Sequence, residues 1–480
     1  MLFNSLEFIF VFLPVVFLGY FLLTKYKWIL ASKLWLVGAS LFFYSWWNIM
    51  YLPLILASIL VNYLVGSLLG KGRKHKSLLV AGIMFNVALL GYFKYCDFFI
   101  SNMNAVFGMD VPLLHLLLPL GISFFTFQQI AFLVDAYRQE TKEYNFLNYA
   151  LFITFFPQLI AGPIVHHQEM MPQFEKNRNK QLNHRNLALG LFIFSIGLCK
   201  KVVIADSFAV WANQGFDEAG KLDFIGGWIS SLSYTFQLYF DFSGYTDMAI
   251  GAALLFNIRL PFNFNSPYKA LNIQDFWSRW HMTLGRFLTK YIYIPLGGNR
   301  KGMSRTYINI FIVFMISGVW HGAGWTFVFW GFLHGIASVI HRFWKNSGFK
   351  LNPFIAWFIT FQFVNIAWVF FRATSWESAT KVLKGMFGFN GINLHEYVPE
   401  TLPFLQNIGI ELGEHALLVT AVAAICAGIL VTTFSKNSLQ LAESLRPNFR
   451  YASAFIVLTS FNLIWIIYLA VKSEFLYFNF

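Results

Sequence analysis

The run Ser317-Gly318-Val319-Trp320-His321-Gly322 sets one imidazole among apolar residues. An ionisable side chain in such a setting is rare and is a functional hypothesis by default. Its unperturbed pKa of about 6.5 suits histidine to proton transfer near neutral pH. The flanking glycines thin the helix and let a substrate or another backbone come close. Residue type alone leaves two readings of His321 open: a proton-transfer group, or a buried histidine that hydrogen-bonds a neighbouring helix.

A second stretch, Asp275-Phe276-Trp277-Ser278-Arg279-Trp280-His281, continues through Tyr291-Ile292-Tyr293 to Gly297-Gly298-Asn299-Arg300. Its aromatic and basic residues read as an amphipathic segment anchored at headgroup level. The functional reading is a cytoplasmic mouth for an anionic cofactor, with Arg and Lys on phosphates and the paired glycines presenting backbone N–H groups. A third run, Tyr239 to Asp247, holds two acids. Asp241 and Asp247 point about 120° apart on a helix, so they form no obvious carboxylate pair. A structural role suits them better, as polar glue or as a break at Gly244. Ser243 lies outside any GxSxG elbow. Neighbouring His166 and His167 suit one metal ion poorly, and no further ligand cluster supports them. His334 reads as an interior polar contact and His341 as an interfacial residue.

These groups need elements to hold them, and composition says which kind. Of 480 residues, 57% are hydrophobic and 12% charged. An average soluble domain carries about 25% charged residues. Apolar runs of about 20 residues recur along the whole chain, and a bilayer is the solvent that accepts them. The candidate spans are 7–24, 28–46, 51–70, 78–100, 114–135, 188–205, 225–256, 305–321, 323–341, 352–371, 416–434 and 452–471. The expectation is an all-α polytopic bundle, one membrane domain over residues 1–480, with about 12 crossings. The stretch 225–256 is too long for one straight crossing, and is tilted or broken near Gly244. The first run lacks a basic leader and a small-residue cleavage site, so it reads as a retained helix. Residues 146–165, with Pro157 and Gly162-Pro163, and residues 261–298 suit simple spans badly and are re-entrant or interfacial candidates.

The net charge of +13 does not call for nucleic acid, because basic residues in membrane proteins gather in cytoplasmic loops. Such loops hold Lys71, Arg73, Lys74 and Lys76, then Lys176 to Arg185, then Arg279 to Arg305, then Lys436, Arg446 and Arg450. Both termini then fall outside, and His321 lies toward the outer end of its span. Lys200-Lys201 is the misfit. Cys96, Cys199 and Cys426 form no CxxC pair, which argues against a disulfide framework or zinc site. The absence of an internal repeat weakens a transporter reading.

Taken together, the motifs resemble the membrane-bound O-acyltransferase (MBOAT) superfamily, most closely its bacterial alginate O-acetyltransferase branch. The resemblance runs from Leu2-Phe3-Asn4-Ser5 through Pro119 to Gln128, Phe156 to Pro163, Phe240 to Asp247, Asp275 to His281 and Trp320-His321-Gly322, to the tail Phe475 to Phe480. It implies a ring of helices around a tunnel, in the cytoplasmic membrane of a bacterium. His321 matches the family's central histidine and His281 its second polar position. The implied donor is acetyl-coenzyme A or another cytoplasmic acetyl carrier, and no metal is required. The implied acceptor is a hydroxyl of an extracytoplasmic polysaccharide or peptidoglycan, or a periplasmic or extracellular partner transferase. On this reading His321 is the base, and a positioned histidine contributes roughly 10²–10⁴-fold. His281 sits nearer the cytoplasmic mouth and orients the thioester or stabilises its oxyanion. Arg279, Arg286, Lys290 and Arg300 are expected at the coenzyme's phosphates. A covalent acyl-histidine stays open. So do D-alanyl transfer toward teichoic acid, a transporter without chemistry, and a scaffold that only recruits a transferase.

Overall fold

The computed structural model describes residues 1–71, 75–141, 143, 145–392, 399–407, 409, 410, 412–444, 449–469, 475 and 476. Of the residues used above, Arg73, Lys74, Arg446, the side chain of Arg450 and Tyr477 to Phe480 lie outside that set. The described residues are mostly helical and contain no strand. Contacts group them into two units: Met1–Phe194 with Thr246–Phe262, and Ser195–Tyr245 with Asn263–Phe480.

The helices in chain order begin with α1 (Leu13–Lys25), α2 (Ile29–Ser45), α3 (Tyr51–Gly70), α4 (Lys76–Leu90), α5 (Cys96–Phe107) and α6 (Ile122–Tyr137). Next come α7 (Phe146–Thr154), α8 (Phe156–Leu159), α9 (His167–Glu175), α10 (His184–Cys199), α11 (Asp206–Asn213) and α12 (Phe224–Leu255). The second unit continues with α13 (Ile273–Arg279), α14 (Met282–Leu288), α15 (Met303–His321), α16 (Trp325–Asn346), α17 (Pro353–Arg372) and α18 (Trp376–Met386). It ends with α19 (Pro403–Asn407), α20 (Glu414–Phe434), α21 (Ser438–Ser444) and α22 (Phe449–Ile464).

Among the described residues, seven helical stretches are long and apolar enough to cross a membrane: Phe8–Lys25, Tyr51–Gly70, Lys76–Phe107, His184–Glu218, Met303–His321, Pro353–Arg372 and Glu414–Phe434. Ile29–Ser45 and Ala452–Tyr468 are shorter apolar helices. Large apolar side chains such as Leu18, Leu30, Leu60 and Val419 are exposed on these helices. Surfaces of that kind suit lipid, and the chain is a multi-pass membrane protein.

In the first unit, the irregular run 146–165 resolves into α7 and α8, separated at Phe155, whose ψ of 107° leaves the helical region. The side chains of Phe155, Phe156 and Leu159 are fully buried. Broken backbone is tolerated at membrane depth where protein covers it. Asn62 and Asn86 exchange side-chain hydrogen bonds of 3.2 and 2.6 Å between α3 and α4. These are buried amides that join two apolar helices. Both ring nitrogens of His167 are engaged, Nδ1 with Thr141 Oγ1 at 2.9 Å and Nε2 with Glu143 at 3.2 Å.

α12 is one unbroken helix of 32 residues. At about 1.5 Å per residue it is longer than a ~30 Å hydrocarbon core, so it tilts or projects. Gly244 does not break it. A Cβ there would lie 2.7 Å from Gly197 O, so the glycine serves the close approach of α10 instead.

Candidate active site

The second unit holds its interior with aromatic rings on α13, α15, α16 and α17. Asn272 starts α13 by accepting a hydrogen bond from Asp275 N at 2.8 Å. Asn352 and Pro353 start α17 in the same way, with Phe354 N donating to Asn352 at 2.9 Å. Trp280 packs between Phe276 at 5.7 Å and Trp368 at 5.0 Å.

His281 occupies the corner between α13 and α14. Residues 263–265 pair with it from the side: Asn265 N donates to Arg279 O at 2.9 Å, and Met282 N to Asn263 O at 3.0 Å. Asn263 Oδ1 accepts from Thr283 N and Oγ1. These bonds fix His281 at φ +44°, in the left-handed region where a non-glycine residue is uncommon. The histidine is 1% exposed. Its ring lies 4.8 Å from Phe242 and 6.1 Å from Trp320.

α15 carries His321 at its last position. The helix reaches α16 through two glycines. A Cβ on Gly318 would lie 2.6 Å from Phe327 O and 3.0 Å from Gly331 Cα. The backbone therefore fills the space that the sequence left for a substrate or another backbone. At Gly322, the Phe327 ring fills it. His321 Nδ1 lies 2.6 Å from Ser317 O. A carbonyl only accepts, so Nδ1 carries the proton and Nε2 is the basic nitrogen of the neutral ring. Trp320, Trp330 and Phe371 surround the ring at 4.9, 5.0 and 5.3 Å.

The His281 and His321 rings are 6.4 Å apart. The expectation that separated them, one near the cytoplasmic mouth and one near the outer end, does not hold. α14 leads away from His281 to the turn at 294–302, and α15 returns to His321, so the two histidines share one end of that excursion. Asn309 on α15 holds the turn, donating to Gly298 O at 2.9 Å. Gly297 and Gly298 there have φ of +107° and +56°.

The four basic candidates are spread along this excursion. Arg279 is committed within the protein: its Nε donates to Asp275 at 2.7 Å and its Nη1 to Asn265 O at 3.3 Å. Arg286 and Lys290 follow one another at a spacing of four, which places them on one helix face. Lys290 sits 5.2 Å over Tyr291. Arg300 is exposed in the turn. A cavity of about 500 Å³ opens beside α13 and the end of α16, lined by Asn272, Gln274, Asp275, Ser278, His341 and Lys345.

Sequence reasoning missed one arrangement. Lys201 is 4% exposed and bridges Asp241 at 2.7 Å and Asp206 at 2.9 Å. The misfit lysine is therefore an internal ion-pair partner and not a topology marker, and Asp241 is structural. The same carboxylate accepts from Leu476 N at 2.9 Å, while Phe475 stacks on Tyr245 at 4.3 Å. His334, read from the sequence as an interior polar contact, is fully buried. Its Nδ1 accepts a hydrogen bond from Trp277 Nε1 at 3.2 Å.

A family model described as MBOAT, membrane-bound O-acyltransferase family, matches residues 10–380 of the chain. A peptidoglycan O-acetyltransferase of Helicobacter pylori is 52% identical, with 100% of this chain and 98% of the relative covered. A probable alginate O-acetylase of Pseudomonas aeruginosa is 40% identical over 85% of this chain and 78% of the relative. A teichoic acid D-alanyltransferase of Bacillus subtilis is 30% identical over 51% of this chain and 66% of the relative.

Proposed function

Because the chain belongs to the membrane-bound O-acyltransferase family, we propose that it moves an acetyl group from a cytoplasmic thioester to a hydroxyl of an extracytoplasmic glycan. Peptidoglycan is the first choice of acceptor, since the relative at 52% identity spans the whole chain. The acceptor hydroxyl is reached directly or through a partner transferase outside the cytoplasmic membrane. Acetyl-coenzyme A is the proposed donor. D-alanyl transfer is the weaker reading, because its relative matches only 51% of this chain.

The observation that carries the reading is the buried pair His281 and His321, with rings 6.4 Å apart. A thioester is already activated, so the chemistry needs a base and charge stabilisation. The bond from His321 Nδ1 to Ser317 O leaves Nε2 as the base for the acceptor hydroxyl. As the C–O bond forms and the thiolate leaves, the proton held on Nε2 passes to the departing sulfur. His281 orients the thioester from the adjoining corner. Arg286, Lys290 and Arg300 supply cations for the coenzyme's phosphates, while Arg279 is held by Asp275 beside His281.

The test is radiolabelled acetyl transfer from acetyl-coenzyme A in proteoliposomes, comparing wild type with His321→Ala at matched protein level. We expect transfer in the wild type and a loss of about 10²–10⁴-fold in the variant. Equal labelling in both would remove His321 from the mechanism. Labelling from D-alanyl carrier protein alone would move the assignment to the second reading.

A further inference from the structure

His321 and His334 lie on adjoining helices with Trp330 between them. The Trp330 ring is 5.0 Å from His321 and 4.8 Å from His334. Trp330 and His334 are one turn apart on α16, so they share a face. Both are 0% exposed. Trp277 donates into His334 Nδ1 at 3.2 Å, so the proton of the neutral His334 ring is on Nε2. Among the described residues, neither that Nε2–H nor the Trp330 Nε1–H has a hydrogen-bond partner. Two buried donors on one helix face without a partner among the described residues are costly, and a bound acceptor would satisfy them.

Resting on the acetyl-transfer reading above, we propose that Trp330 Nε1–H and His334 Nε2–H are the donors to the acyl carbonyl oxygen of the thioester. The step balances without further reagents. The acceptor oxygen attacks the carbonyl carbon and its proton goes to His321 Nε2. The carbonyl π pair moves to oxygen, where the two N–H groups hold it. The oxyanion then collapses, the C–S bond breaks, and the thiolate takes the proton back from His321. Donors already fixed by packing are worth most here, because they need no reorganisation as charge develops. Their fixing is visible. Trp330 stacks on Trp368 at 5.7 Å and 17°, and His334 is boxed by Trp277 at 5.1 Å and Phe363 at 5.2 Å.

The experiment compares acetyl-coenzyme A with its dithioacetyl analogue, whose C=S accepts hydrogen bonds poorly, in purified proteoliposomes. Wild type should prefer the oxygen donor strongly. Trp330→Phe keeps a ring against His321 and deletes one donor. His334→Asn keeps an acceptor near the Nδ1 position and deletes the other. Each variant should lose about 10²–10³-fold in kcat with the oxygen thioester, lose far less with the sulfur analogue, and hold KM within about threefold. His334→Gln, whose amide nitrogen reaches the Nε2 position, should recover part of the oxygen preference. If either folded variant slows both donors equally, the inference is overturned and the residues only pack. If wild type transfers from neither donor, the acetyl-transfer reading itself falls. The two histidine variants decide the matter should Trp330→Phe not fold.

Discussion

His281 shows how a proposed site residue is held at a backbone cost. Its φ of +44° is a left-handed setting that costs most L-residues about 1–2 kcal/mol, and asparagine less. The two requirements, backbone and imidazole, separate by substitution. His281→Asn should keep thermal stability near wild type in detergent, whereas His281→Ala should lose about 1 kcal/mol. Both should lose acetyl transfer. Full activity in either would show that the imidazole is dispensable, and equal stability would show that the backbone setting is not strained. This histidine was legible in the sequence because an imidazole ends an aromatic, basic run. The Lys201 cluster was not. Lys201, Asp206 and Asp241 meet only through folding, and from the sequence alone Lys201 read as a loop marker in the wrong place. A paired lysine among apolar helices and an unpaired one look alike until the partner is known.

At the scale of elements, the site depends on how closely α15 approaches α16. A Cβ on Gly331 would lie 2.6 Å from Phe314 O and 3.1 Å from Gly318 Cα. Both neighbours are backbone, so neither yields by rotating a side chain. Gly331→Ala should therefore push the helices apart, at about 1–3 kcal/mol. The larger effect should be on rate, because α15 carries His321 and α16 carries Trp330 and His334. A displacement of 1 Å costs about 10²-fold. Transfer assays on Gly331→Ala should show that fall in kcat. Gly38→Ala on α2, where an added Cβ meets nothing within 4 Å, should leave activity unchanged. A fully active Gly331→Ala would mean that the crossing has slack. The sequence pointed to Gly318 and Gly322, because they flank a histidine. Gly331 had no such neighbour to mark it. Of the two readings of 225–256, tilted or broken near Gly244, the continuous helix leaves the first, and the irregular stretch 146–165 breaks at Phe155.

For the whole molecule, apolar runs made the membrane class legible, because nothing but lipid accepts so much exposed hydrocarbon. Depth was harder to read. A positive-inside count treats each basic loop alike, yet Arg279 is tied to Asp275 inside the second unit and Lys201 is buried. The turn at 294–302 is a better reporter, because Asn299 and Arg300 are exposed and Asn309 fixes the turn to α15. α15 has 19 residues, about 28 Å of helix, close to the thickness of the hydrocarbon core. If that turn lies at the cytoplasmic face, His321 lies near the other, where the proposed acceptor hydroxyl would arrive. In a chain with Cys96, Cys199 and Cys426 replaced by serine, Asn299→Cys should react with a membrane-impermeant maleimide only after the cytoplasmic side is opened. Labelling in intact cells would invert α15, put His321 at the cytoplasmic end, and require the acceptor rather than the donor to cross the membrane.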